Sequence, residues 1–150
     1  MKTYLFAWNP KLWKWHNLAE LSANVRNRKE VFDRWGTGTS RKIQKLDRFF
    51  IIRLGEEPRG IFASGQVASD VFKDIHWHKE KSSIGKTANY VKIKYDMLLN
   101  PDTDAILPRE ILRQPPFSKM NWDIRMSGIQ IPDAIAQELE NLWKNVIHIR

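Results

Sequence analysis

The side chains best equipped for selective chemistry in this chain are its seven tryptophans, set among 25 lysines and arginines in 150 residues. Three stand beside residues that favour turns, where a core side chain is not expected. Trp8 precedes Asn9 and Pro10, Trp35 precedes Gly36, Thr37 and Gly38, and Trp77 lies in a long polar stretch. An indole face stacks on a nucleobase with about 1–3 kcal/mol, and two faces together can hold a base turned out of its helix. A methyl group on that base adds apolar surface worth about 0.8 kcal/mol when buried. Trp13, Trp15 and Trp143 read as packing residues, the last because it continues the apolar face of the final helix.

Charge points toward the same partner. A formal charge of +8 and a pI near 9.8 attract polyanions, with nucleic acid foremost. No segment joins a basic face to a wholly apolar one, and no stretch approaches the roughly 20 apolar residues that span a bilayer, so the reading is a cytoplasmic protein without a membrane partner.

Catalytic signatures are missing. There is no cysteine, hence no thiolate nucleophile and no zinc site of the Cys-containing kind. His76 and His78 flank Trp77 without an acidic or histidine partner at helical spacing, so no metal or cofactor is expected. The run Ile84, Gly85, Lys86, Thr87 lacks the upstream glycine of a phosphate loop, and Gly36 and Gly38 are not followed by a third glycine at dinucleotide-binding spacing. A nuclease using Asp47, Asp70 or Asp74 as metal ligands is a weaker alternative. A protein-interaction module is another, and its binding should lack steep salt dependence.

These residues need elements to position them. Tyr4 to Trp8 is an apolar strand stopped by Pro10. Leu18, Leu21 and Val25 recur at helical spacing, predicting a helix over 17–30, and the glycines after Trp35 predict a flexible polar loop. Asp47 to Leu54 and Ile61 to Val67 form a hairpin around the turn at 55–60, and alternation in 90–95 predicts a further strand. Residues 70–89 read as a long loop. A short helix begins near Leu107, and Pro132 opens a last helix with Ile135, Leu139 and Leu142 on one face. The fold class is α+β in a single domain over 1–150, with a curved sheet or small barrel flanked by helices.

The order of Trp8-Asn9-Pro10, helix, Trp35-Gly36-Thr37, the Phe49 and Phe62 strands, Trp77 and the segment from Trp122 to Gly128 resembles the EVE domain of the PUA-like superfamily and the related YTH readers of methylated adenine. The runs Gly60 to Val67, His76-Trp77, Tyr90 to Ile93 and Ser127 to Ile131 are similar to the DNA-reading module of bacterial EVE-HNH restriction endonucleases, which cut DNA carrying modified cytosine. The resemblance implies a cage walled by Trp35 and Trp77, with Asn9 at the end of the first strand reading the base edge. Its HNH nuclease module is absent from this chain, so the expectation is binding without catalysis, by a DNA-reading fragment or a stand-alone reader, with cleavage supplied in cis in the full-length protein that it resembles. Trp8, Ser64, the backbone of Gly36 and Thr37, and Asp123 complete the candidate base-binding set. Arg34, Arg41, Lys42, Lys45, Lys79, Lys81 and Lys86 lie in the two segments that carry the cage tryptophans and are the candidate phosphate contacts. The expected partner is double-stranded DNA with 5-methyl- or 5-hydroxymethylcytosine, and the alternative is an RNA or methyladenine reader of the same fold.

Overall fold

The computed structural model of the chain describes residues 1–75 and 85–148. The elements are β1 (Thr3–Trp8), α1 (Leu18–Arg26), β2 (Phe32–Gly38), β3 (Arg48–Arg53), β4 (Gly60–Val67), β5 (Phe72–Ile75), β6 (Thr87–Leu98), β7 (Leu107–Pro108), α2 (Arg109–Leu112), a 3-10 turn at Phe117–Lys119, β8 (Ile129–Ile131) and α3 (Asp133–His148). The class is α+β, an eight-stranded curved sheet with helices against it. Among the described residues no helix is long and apolar enough to cross a membrane.

The sheet runs β2-β6-β4-β3-β1-β8, with β5 added to β6 and β7 to β4. Among the described residues, only β1 and β3 pair in parallel. Although β2 and β1 are far apart in this order, they return to within 8 Å of each other at Cα, so the sheet curls without closing a hydrogen-bonded ring. The segment before β8 fills the gap. Ser127 Oγ accepts from the Ala7 N–H at 2.9 Å, and the Gly128 N–H donates to the Leu5 carbonyl at 3.0 Å. Gly128 has φ +95°, and a Cβ there would lie 2.5 Å from the Thr37 carbonyl oxygen, so only glycine lets this segment touch both strands.

Alternation along the strands separates two aromatic cores. Phe6 of β1 stacks on Phe49 of β3 at 5.6 Å, and Phe49 meets Tyr95 of β6 at 5.9 Å inside the curl. On the other face, Phe50 packs edge-on against Trp143 of α3 at 6.0 Å. In the β3–β4 pairing, Ile51 opposes Ala63 while Ile52 opposes Ile61, which leaves Phe62 as a bulge. That extra residue lets Phe62 face inward to Trp8 while Ser64, two positions on, faces α3.

Three expectations about elements change. The helix stops at Arg26 because Arg28, at φ +61°, turns the chain. The glycine-rich segment after Trp35 is part of a strand, and its backbone pairs with β6 until Gly38, at φ +62°. Residues 70–89 contain β5 and the start of β6, which pair antiparallel with Ile75 opposite Thr87.

Candidate nucleic-acid interface

Four tryptophans from three segments meet where the curl opens. Trp8 ends β1, Trp35 lies in β2, and Trp13 and Trp15 come from the connection between β1 and α1. Trp15 sits 5.4 Å from Trp35 and 5.6 Å from Trp8, and Trp13 sits 5.8 Å from Trp35, all in the range of favourable aromatic pairs. Trp8 donates its indole N–H to the Trp13 carbonyl at 3.2 Å, which fixes the connection over the opening. Trp8 and Trp35 are each only 6% exposed, whereas Trp13 is 37% exposed and forms the solvent-facing edge of the cluster. The two residues assigned to packing therefore pack against the expected cage wall itself.

One titratable pair borders this cluster. Asp33 shares the inward face of β2 with Trp35, and its carboxylate accepts from the Tyr95 hydroxyl at 3.0 Å and from the Arg34 N–H at 2.8 Å. Burial holds the Asp33 carboxyl above its ordinary value despite those bonds. Tyr95 is pushed well above its ordinary value by burial and by the facing Asp33. No spacing rule singles out Asp33, but its place two residues before Trp35 puts both on one strand face.

The other candidate polar readers fall elsewhere. Asn9 turns its Oδ1 to the Lys11 N–H at 2.9 Å, and its carboxamide packs where a Cβ on Gly55 would stand, so it closes its own turn. Ser64 is fully buried on the α3 face, where it accepts from the Trp143 indole at 2.9 Å and donates to Asp96. Asp123 pairs with Arg109 at 2.9 Å and Arg113 at 3.2 Å; although partial burial works against it, these two guanidinium groups hold its carboxyl below the ordinary value. Thr37 is buried with its hydroxyl donating to the Ser40 carbonyl at 3.0 Å. Gly36 remains open, since a Cβ there would meet nothing closer than 3.9 Å.

The candidate phosphate contacts divide into two kinds. Arg34 is engaged, with its guanidinium 4.0 Å from the Tyr90 ring centre and 2.8 Å from Asp74, whose carboxyl is held low by the Ile75 N–H and by Arg34. Arg41, Lys42, Lys45 and Lys86 are exposed and form no ion pair among the described residues. Trp77, Lys79 and Lys81, with His76 and His78, lie outside the described residues.

The acidic residues weighed as metal ligands are each occupied. Asp47 accepts from the Lys2 and Gln44 N–H groups, Asp70 from the Lys45 N–H, and Asp74 pairs with Arg34. Among the described residues, no three histidine or acidic side chains converge.

No family model and no curated protein matches the chain. Solved structures do. A hypothetical protein from Leishmania major matches with a TM-score of 0.66 at 13% identity over 97% of this chain and 96% of its own. A protein of Pseudomonas syringae matches at 0.65 and 16% identity, and one of Pseudomonas putida at 0.61 and 14%, each over 93% of this chain and 98% of theirs. At such identities the likeness is one of fold, shared across nearly the full length of all four chains.

Proposed function

We propose that this chain binds DNA containing 5-methyl- or 5-hydroxymethylcytosine, as the base-reading domain of a modification-dependent HNH endonuclease. The reading is carried by one juxtaposition. A tryptophan cluster with one exposed edge opens beside the strand whose exit segment bears Arg41, Lys42 and Lys45, cations without carboxylate partners among the described residues. Phosphates neutralise such cations and hold the duplex. Stacking on indole then offsets the few kcal/mol needed to turn a base out.

The cluster also suggests how entry occurs. Trp13 and Trp15 cover Trp35, so a base reaches it only as Trp13, the more exposed of the two, swings aside. Trp77 is assigned the opposite wall by the resemblance to EVE and YTH readers. The chain selects the modified site, and a nuclease module in cis performs the cut.

Binding to matched oligonucleotides tests this. Trp35→Ala and Trp77→Ala should each abolish the preference for modified over plain duplex, while Lys81→Ala should weaken both about equally. Equal losses on both duplexes in the tryptophan variants would remove the cage. Tighter binding to matched methyladenine RNA would move the partner from DNA to RNA.

A further inference from the structure

We infer that the turned-out base takes the place now filled by the Trp15 side chain, which stands in for the ligand and leaves as the base enters. The inference rests on the base-reading proposal and locates its seat. The Trp15 ring lies among four rings of the inward sheet face, Trp35 at 5.4 Å, Trp8 at 5.6 Å, Phe62 at 6.1 Å and Tyr95 at 6.4 Å. These four come from β2, β1, β4 and β6, so the chamber belongs to the sheet, while its occupant comes from the connection between β1 and α1. An indole is larger than a methylated or hydroxymethylated cytosine. The space it vacates therefore accepts that base without movement of the walls.

Two observations make Trp15 a removable occupant. Trp8, Trp122 and Trp143 each donate an indole N–H, to the Trp13 carbonyl at 3.2 Å, the Phe117 carbonyl at 2.8 Å and the Ser64 hydroxyl at 2.9 Å. The Trp15 side chain makes no hydrogen bond among the described residues, so only ring contacts hold it. Its chain segment is also exposed: of residues 11–17, Trp15 alone is half-buried. Lys11 and Lys14 lie on that connection without carboxylate partners among the described residues, so phosphates can hold it once it has moved.

The border of the chamber suits a base better than a wholly apolar ring. Asp33 shares the inward face of β2 with Trp35, and it accepts from the hydroxyl of Tyr95, one of the four walls, at 3.0 Å. A carboxylate retains lone pairs after two such bonds, and it accepts from the amino group of cytosine. The connection enters the chamber from the open end of the sheet. A base carried on its sugar would follow the same path inward.

The test compares Trp15→Ala with wild-type protein on duplexes that carry either 5-methylcytosine or cytosine at one position. Once the competing ring is gone, binding no longer waits on a minor open state, so affinity for the methylated duplex should rise about tenfold. Affinity for the plain duplex should change little, and Trp15→Phe, which keeps a ring in the chamber, should gain less. Weaker binding of the methylated duplex by Trp15→Ala, or an equal change on both duplexes, would overturn the seat. A second measurement serves even where Trp15→Ala does not fold. With 5-fluorotryptophan incorporated throughout, the fluorine resonance of Trp15, assigned by its loss in Trp15→Phe, should gain a solvent isotope shift when the methylated duplex binds and not when the plain duplex does. No change in that resonance would overturn the seat as well. Failure of the underlying base-reading proposal looks different: wild-type affinity would then not depend on the methyl group.

Discussion

Basic side chains do opposite work on the two sides of this molecule. Under α3, Arg48 is clamped: its Nε and Nη2 reach Glu140 at 2.9 and 3.1 Å, and its Nη1 reaches Asp96 and the Gly65 carbonyl. Burial alone would lower the Arg48 pKa, but Glu140 and Asp96 outweigh it and raise it, so the cation is fixed in its charged form. At the exit of β2, Arg41, Lys42 and Lys45 stand in solvent without ion pairs among the described residues. The paired arginine holds the helix to the sheet, and in the proposed reading the unpaired cluster meets the phosphates of DNA.

The largest effect should come from the clamped side. Trp143 is buried between Phe50 and Ser64, so Trp143→Ala should cost about 3–5 kcal/mol in chemical denaturation, from the void left in the core and the lost indole bond. Affinity for DNA, measured on protein that remains folded, should change little. Arg48→Met removes the link between Glu140 and Asp96 and should cost about 2 kcal/mol in the same denaturation, since Asp96 is more than half exposed and recovers water.

The unpaired side should show the reverse pattern. Lys42→Ala and Lys45→Ala should shift stability by no more than about 0.5 kcal/mol, and each should lower the logarithmic salt slope of DNA binding by about 1. A cation from this group that changed stability as Arg48 does, without changing the slope, would break the contrast. The smallest effect concerns Asp33. Its folded value is raised by burial, so the folded state holds its proton more tightly than the unfolded chain. The contribution is therefore favourable below the unfolded carboxyl value and is lost as pH rises through the folded one. Asp33→Asn should flatten that part of the stability profile, read by urea denaturation in a pH series that starts below the ordinary carboxyl value of about 3.9 and runs upward.

Much of this arrangement is written in local pattern. The β3–β4 hairpin, β1 stopped by Pro10 and the apolar face of α3 are all visible as periodicity and turn residues. β2 is not, because Gly36 and Gly38 suggest a loop, and only pairing with β6 makes the segment a strand. The alternation of Asp33, Trp35 and Thr37 against Arg34 and Gly36 carried that information more faithfully than the glycines. Polar side chains were the least legible. Ser64 meets Trp143 across 79 positions, and Asp123 is taken by arginines 10 and 14 positions away. No local signal tells such an engaged group from one that faces a pocket. The tryptophans were legible as candidates, but that Trp13 and Trp15 cover Trp35 depends on how the connection folds back over the open end of the sheet.

The central claim is tested most directly by equilibrium binding of the wild-type chain to two duplexes that differ only by one 5-methyl group on cytosine, measured across a salt series. The account predicts that both affinities fall steeply with salt while the preference for the methylated duplex stays nearly constant, because phosphate contacts set the first and indole stacking the second. Equal affinity for the two duplexes at every salt concentration would contradict it.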